Sequence, residues 1–303
     1  MLPMVDVVIA TSGGRPALLA EAVASVAAQD YRGVVATTVV YDTPGDPETP
    51  VDTVSAGQRP VLWIRSTGHG LAAARNAGVA ATTAAWVAFL DDDDLWFPEK
   101  LTAQMAGATP DASLIGCGIE ILDAHGAITG RPAPKTVVTR RDLLADRIME
   151  LHPSTFLLRR TAFDAIGGVD ESIPGGYGED YDFLLRMASL GPITCVERPL
   201  ARIRWTGGSY FFSRWQTIVA ALRHLLAAHP DFASVPHGEA RILGQIAFAE
   251  AAMGQRRAAL RTAAAAARRN PRERRALLAA AVALRVVSAE RVQAWLHQRG
   301  RGI

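Results

Sequence analysis

The sequence predicts an α/β fold, a parallel sheet with helices on both faces, followed by an α-helical appendage at the C-terminal end. Three observations carry this. Short apolar runs rich in β-branched and aromatic residues alternate with helical periodicity over roughly the first two hundred residues. The residues immediately after those runs are small and polar, and from about Trp215 onward the strand signals stop.

The strand candidates are Val5–Ala10, Val34–Tyr41, Val61–Ile64 and Trp86–Leu90, each too short for a typical helix. Between them, Pro16–Gln29 and Leu71–Ala81 repeat apolar residues at helical spacing, and a further helix is expected to begin near Pro98. Strand and helix in alternation build a parallel sheet, because parallel neighbours need a crossover. Ligands of such sheets bind beyond the carboxyl ends of the strands. There the chain places Thr11-Ser12-Gly13-Gly14-Arg15, Asp42-Thr43-Pro44-Gly45 and Asp91-Asp92-Asp93-Asp94.

The C-terminal region is alanine- and leucine-rich helix, interrupted at Pro230, Pro236 and Pro271. Gly254, Ala259, Ala266 and Pro271 match part of the tetratricopeptide pattern. The division expected is residues 1–214 for the α/β domain and 215–303 for an arginine-rich helical region.

Of the 303 residues, 49% are hydrophobic and 20% charged, which excludes a largely disordered chain. Cys117 and Cys195 are too few for a disulfide framework or a four-cysteine metal site and read as buried, inert thiols. Met1–Ala10 carries Asp6 and lacks a basic leader, so it reads as a first strand and not as a secretion signal. No stretch reaches the roughly 18 uncharged apolar residues of a membrane span. The cytoplasm is the expected location. The net charge of +2 conceals an asymmetry. Arg256–Ile303 holds twelve arginines against Glu273 and Glu290, a net +10 on a body of −8. Such a tail is either a solvated helical face or a surface for an acidic partner such as anionic lipid.

Four consecutive aspartates are the strongest chemical signal. Two like charges about 4 Å apart repel by roughly 4 kcal/mol at an effective dielectric near 20, so the run calls for a cation or for donors. Strand alternation would put Asp91 and Asp93 on one side and Asp92 on the other. Hard oxygen ligands favour Mg²⁺ or Mn²⁺. Asp94 is expected to cap the helix near Pro98.

The run Gly70-Leu71-Ala72-Ala73-Ala74-Arg75-Asn76-Ala77-Gly78, followed by Phe89-Leu90-Asp91-Asp92-Asp93-Asp94-Leu95-Trp96-Phe97-Pro98, resembles family 2 glycosyltransferases of the GT-A fold. So do Val7–Thr11 and the downstream Gly178-Glu179-Asp180-Tyr181-Asp182. The likeness covers roughly residues 4 to 210. It implies a Rossmann-like nucleotide-binding sheet and an enzyme that moves a sugar, with inversion, from a nucleoside-diphosphate sugar (a UDP-sugar favoured) to a hydroxyl of a carbohydrate, lipid-linked or small-molecule acceptor. It also implies a divalent cation, Mn²⁺ or Mg²⁺, on Asp93 and Asp91, with Asp91 and Asp92 reaching the ribose. The register within the run stays open by one position.

By the same resemblance, Thr11, Arg15, Asp42 and Arg75 serve the nucleotide, Asp180 is the base with Glu179 the adjacent alternative, and His152 and Tyr177 belong to the acceptor side. Thr206 stands where the family often has a metal-reaching histidine, which leaves Arg202 or Arg204 to counter phosphate charge. Two other classes fit parts of the pattern: a nucleotidyltransferase, of which Gly13-Gly14-Arg15 is a faint echo, and a non-catalytic sugar-nucleotide scaffold. A nucleic-acid partner is not expected. The basic tail would serve peripheral contact with the inner face of the membrane or homo-oligomerisation.

Overall fold

The computed structural model describes residues 2–42, 61–109, 111–205 and 214–297. They fall into two compact units. The first comprises Met1–Arg140, Ile148–Glu171 and Glu179–Gly207, and the second Arg141–Arg147, Ser172–Gly178 and Gly208–Ile303.

In the first unit, β1 (Val5–Thr11), β2 (Val35–Tyr41), β3 (Val61–Arg65) and β4 (Trp86–Asp91) pair in parallel in the order β3-β2-β1-β4. Helices α1 (Pro16–Ala27) and α2 (Gly70–Ala80) provide crossovers. Each predicted strand and helix of this half is present, to within two residues at its ends. The register aligns Thr11 with Tyr41 and Ala10 with Asp91, so three strands finish side by side.

The rest of the sheet departs from the all-parallel expectation. After β5 (Leu95–Trp96) and α3 (Lys100–Ala106) come β6 (Leu114–Asp123), β7 (Ile128–Arg131), β8 (Val137–Val138), α4 (Arg140–Ala145), β9 (Leu157–Arg159), α5 (Arg160–Ala165), α6 (Glu179–Leu190) and β10 (Ile193–Trp205). The order continues β4-β9-β6-β10-β5, with β9 antiparallel to both β4 and β6. A three-residue strand is too short to show in a hydrophobic pattern, yet it carries the turn before it to the end of β4.

Two packing features position the site. Gly78 lets α2 lie close on the sheet, since a Cβ there would fall 2.3 Å from Val8 Cγ1. Phe89 of β4 and Phe156, Phe163 and Phe183 form an aromatic cluster with ring centroids 5.9–6.3 Å apart. Phe183 belongs to α6, so the cluster seats the N-terminal turn of α6 beside β4. Cys117 and Cys195 are buried free thiols, and burial pushes both up, to about 11 and about 12.

The second unit contains α7 (Trp215–Ala228), α8 (Pro236–Ala252), α9 (Arg256–Arg269), α10 (Arg274–Ala283) and α11 (Ala289–His297). Its core is mostly alanine: Ala247, Ala259, Ala263, Ala266, Ala276 and Ala279 pack around Phe248. Small side chains let the helices approach closely. Gly254 turns α8 into α9 with φ +74°, where the partial repeat pattern placed a glycine.

Candidate active site

The acidic run is half strand and half turn. β4 ends at Asp91, so strand alternation does not extend to Asp93, and the expected pairing of Asp91 with Asp93 on one side is replaced. Asp92 and Asp93 both turn to Arg15. Arg15 Nη2 donates to Asp92 Oδ1 at 2.5 Å, and Nη1 donates to Asp93 Oδ2. Thr11 Oγ1 donates to Asp92 Oδ2 at 2.5 Å and accepts from the Gly13 amide at 3.0 Å. Burial raises both carboxyls above the usual range, with Arg15 opposing. Thr11, Arg15, Asp92 and Asp93 are therefore one cluster at the mouth of β1 and β4.

Asp94 does not cap a helix. α3 begins only at Lys100, with Glu99 before it. Asp94 is instead buried, and both its oxygens are occupied: Ser154 Oγ donates to Oδ2 at 2.5 Å and the Arg204 amide donates to Oδ1 at 3.0 Å. Burial and the neighbouring Asp91 push it well above the carboxylate range. Ser154 Oγ also accepts from the Asp91 amide at 3.1 Å. This hydroxyl therefore joins both ends of the acidic turn.

His152, expected on the acceptor side, lies against the acidic turn. Its Nδ1 accepts from the Ser154 amide at 3.3 Å and is 3.5 Å from Asp94, while Nε2 is 3.9 Å from Asp91. Asp91, Asp94 and His152 offer ligand atoms within 4.8 Å of one another, a set of hard and borderline donors suited to a divalent cation. Sixty residues separate Asp94 from Ser154, and only the antiparallel insertion of β9 brings them together.

Arg75 lies on α2 and is buried. Nη2 donates to Asp91 Oδ1 at 2.8 Å and Nη1 to Glu179 Oε1 at 2.5 Å. Burial would lower the guanidinium, but Asp91 and Glu179 more than offset it, so Arg75 stays charged. Burial likewise pushes Asp91 up, and Arg75 and His152 reverse this and hold it below the usual range. Glu179 stays raised, because burial and Asp180 outweigh Arg75. Asp180, next to it in the first turn of α6, is half-buried, and its Oδ1 accepts from the Tyr181 amide at 2.8 Å. Asp180, Glu179 and Arg75 line a small cavity with Phe89, Pro153 and Val169. Acidic groups at a helix N-terminus are favoured by the helix dipole, and here they also face a cleft.

Asn76, the residue after Arg75, has a task that the sequence did not disclose. Consecutive helical residues point about 100° apart, so the two reach different elements. Asn76 Oδ1 accepts from the Val169 amide at 2.8 Å, and Nδ2 donates to Val169 O at 2.9 Å and Glu171 Oε1 at 2.7 Å. Arg186 of α6 grips the same loop through Ile166 O and Gly168 O at 3.0 and 2.6 Å. Gly168, at φ +77°, permits this approach, because a Cβ would stand 2.7 Å from Asn76 Oδ1.

The remaining expectations are placed as follows. Asp42 Oδ2 accepts from the Gly70 amide at 2.8 Å and so caps α2 across the end of β2. Arg204 Nη1 donates to Asp93 O at 3.1 Å and its other terminal nitrogen pairs with Glu21, while Arg202 holds Glu120 at 2.9 Å. Tyr177 belongs to the segment that groups with the helical unit. Thr43, Pro44, Gly45 and Thr206 lie outside the described residues.

The model of glycosyl transferase family 2 matches residues 6–167, which contain the strand ends, Arg75, the aspartate run and His152. The chain belongs to this family. An uncharacterized glycosyltransferase of Haemophilus influenzae is 32% identical over 134 residues, 42% of this chain and 44% of that protein. The uncharacterized glycosyltransferase RP339 of Rickettsia prowazekii is 23% identical over 198 residues, 63% of this chain and 60% of that protein. The chain thus matches about half the length of these relatives. Among solved structures, S. aureus TarS 1–349 in complex with UDP-GlcNAc superposes with a TM-score of 0.63 at 16% identity, covering 99% of this chain and 92% of that one. The Pyrobaculum calidifontis mannosyltransferase PcManGT, in complex with GDP-Man and Mn²⁺, gives 0.57 at 20% identity, covering 96% and 83%. At these identities the likeness establishes the fold, α/β of the GT-A type with helices after the sheet.

Proposed function

We propose that this domain transfers a glycosyl group, with inversion, from a nucleoside-diphosphate sugar to an acceptor hydroxyl in a cation-dependent reaction, acting in the cytoplasm. The observation that carries the reading is the convergence of two acidic groups on one guanidinium. Arg75 joins Asp91, at the end of β4, to Glu179, beside Asp180 at the head of α6. Inverting transfer needs a leaving diphosphate on one side of the anomeric carbon and a base on the other. Asp180 stands at the family's base position and lines the same cavity as Arg75, so we assign it as the group that takes the acceptor's proton. Such a base contributes about 10²–10⁴-fold.

The donor set at the acidic turn fits a divalent ion. Asp91 belongs both to the trio with Asp94 and His152 and to the pair with Asp93 that the family resemblance implies. We assign Asp93 as its partner over Asp94, because both Asp94 oxygens already accept hydrogen bonds in a buried setting. Asp93 pairs with Arg15, whose side chain is 48% exposed and is released at little cost. When bound, the ion supplies Lewis-acid neutralisation of charge on the departing diphosphate. Thr11, Asp42 and Asp92 stand at or just after the ends of β1, β2 and β4, the edge at which sheets of this class take their ligands, and this supports a nucleoside there. UDP-GlcNAc and GDP-Man in the two structural neighbours support a nucleotide-sugar donor, and a UDP-sugar is our first candidate.

The test is stabilisation by UDP, GDP, dTDP and CDP with Mn²⁺, read as a thermal shift, followed by calorimetry on variants. Asp180→Asn should retain nucleotide affinity and lose about 10²–10⁴-fold in transfer. Full transfer by Asp180→Asn, or no stabilisation by any nucleotide, would overturn the proposal.

A further inference from the structure

From the helical unit we infer an interfacial membrane-docking face on α10 and the turn that follows it, suited to an anionic lipid bilayer. The inference is independent of the transfer chemistry. Along α10 the residues Arg274, Leu277, Ala281 and Leu284 recur at helical spacing on one stripe, opposite the buried Ala276, Ala279 and Ala283. Leu277 is 66% exposed, Leu284 54% and Val286 79%. Large apolar side chains so open to water, grouped within ten residues, are a surface in want of a partner.

The turn holding Val286 outward is costly. The amide of Val286 donates to Ala281 O and that of Arg285 to Val282 O, each at 2.9 Å, which closes α10 with a Schellman motif. The left-handed position of that motif normally takes glycine, yet here it is Arg285, at φ +63°. No other described non-glycine residue has a positive φ. The strained turn places a cation between two exposed apolar side chains.

Charge selects the occupant. Arg257, Arg268, Arg274, Arg285 and Arg291 are exposed and have no carboxylate partner among the described residues, and the tail from Arg256 carries a net +10. An isologous contact of the α10 face with a second copy would bring Arg274 and Arg285 of the two copies together, within a region of net +10. An anionic bilayer instead attracts each arginine, while the leucines and valine enter the headgroup boundary. Among the described residues no helix is long and apolar enough to cross a membrane, so the contact is peripheral.

The experiment is co-sedimentation of the full chain with vesicles of phosphatidylcholine alone or mixed with phosphatidylglycerol. The expected result is binding only to the mixed vesicles. It should weaken about tenfold or more in Leu277→Ser/Val286→Ser and by a similar factor in Arg274→Gln/Arg291→Gln. Arg285→Gly should melt higher than the parent, since it relieves the left-handed strain, and still bind less. These side chains are exposed, so an unchanged melting curve in the two double variants shows that the loss is not unfolding. Absence of binding to mixed vesicles, or undiminished binding by Leu277→Ser/Val286→Ser, would overturn the inference. So would a concentration-dependent dimer that the same variants abolish.

Discussion

Arg75 and Glu179, 104 positions apart in sequence, form a buried ion pair at 2.5 Å, and the same guanidinium holds Asp91. Removing one partner of such a pair leaves an uncompensated charge. Arg75→Met should lower stability by about 3–5 kcal/mol, and adding Glu179→Gln should restore part of it. Urea unfolding of the two single variants and the double variant measures the coupling, and strictly additive losses would show that the pair contributes nothing.

The choice between Asp93 and the Asp94–His152 pair as companions of Asp91 is testable without transfer assays. Mn²⁺-dependent nucleotide affinity should fall about 10–100-fold in Asp93→Ala and stay close to the parent in His152→Gln. The reverse pattern would move the ion to the trio of Asp91, Asp94 and His152.

Asn76 makes three hydrogen bonds to the loop before α6. Asn76→Ala should cost about 1–3 kcal/mol through the unpaired Val169 groups. Asn76→Asp should cost more, since it turns a carboxylate oxygen toward Val169 O and Glu171. Denaturation midpoints give the ranking, and equal stability of all three proteins would remove the clamp.

Lys100 is fully buried against Trp96, 3.9 Å from the ring centroid, with Nζ donating to Gln104 Oε1 at 2.7 Å. Burial lowers it from 10.5 to about 8. Between those values the unfolded chain binds more protons than the folded one, so this group makes stability rise with pH from about 8 to 10.5. The buried thiols oppose it, because their raised values make stability fall as pH climbs above 9.0. Comparison with Lys100→Met reads the lysine together with its coupling to the Cys117 thiol. The stability of the variant relative to the parent should decline by roughly 3 kcal/mol across that window, and parallel pH curves would contradict it.

The parallel half of the sheet was legible because each strand is a separate apolar run and each crossover is periodic. Asp91, Asp92 and Asp93 were legible as candidates for the same reason, since they stand at the end of a strand in a fold class that binds ligands there. Asp94 was not. Nothing in its neighbours showed that Ser154 and the Arg204 amide would take its oxygens, because that depends on β9 running antiparallel between β4 and β6. The approach of His152 to Asp91 and Asp94 was hidden for the same cause. Asn76 was hidden differently: its sequence position sits inside a motif dominated by Arg75, and only the backbone of a loop ninety-three residues away reveals its use.

Ser154 bears on any attempt to remodel this chain. One hydroxyl links the Asp91 amide to the Asp94 carboxylate, while the carbonyl of the same residue accepts from Trp96 Nε1 at 2.7 Å. The aspartate turn and the His152–Thr155 turn are accordingly a single graft unit. Swapping either alone into a related scaffold would orphan groups in the other, so donor-loop libraries should exchange both together.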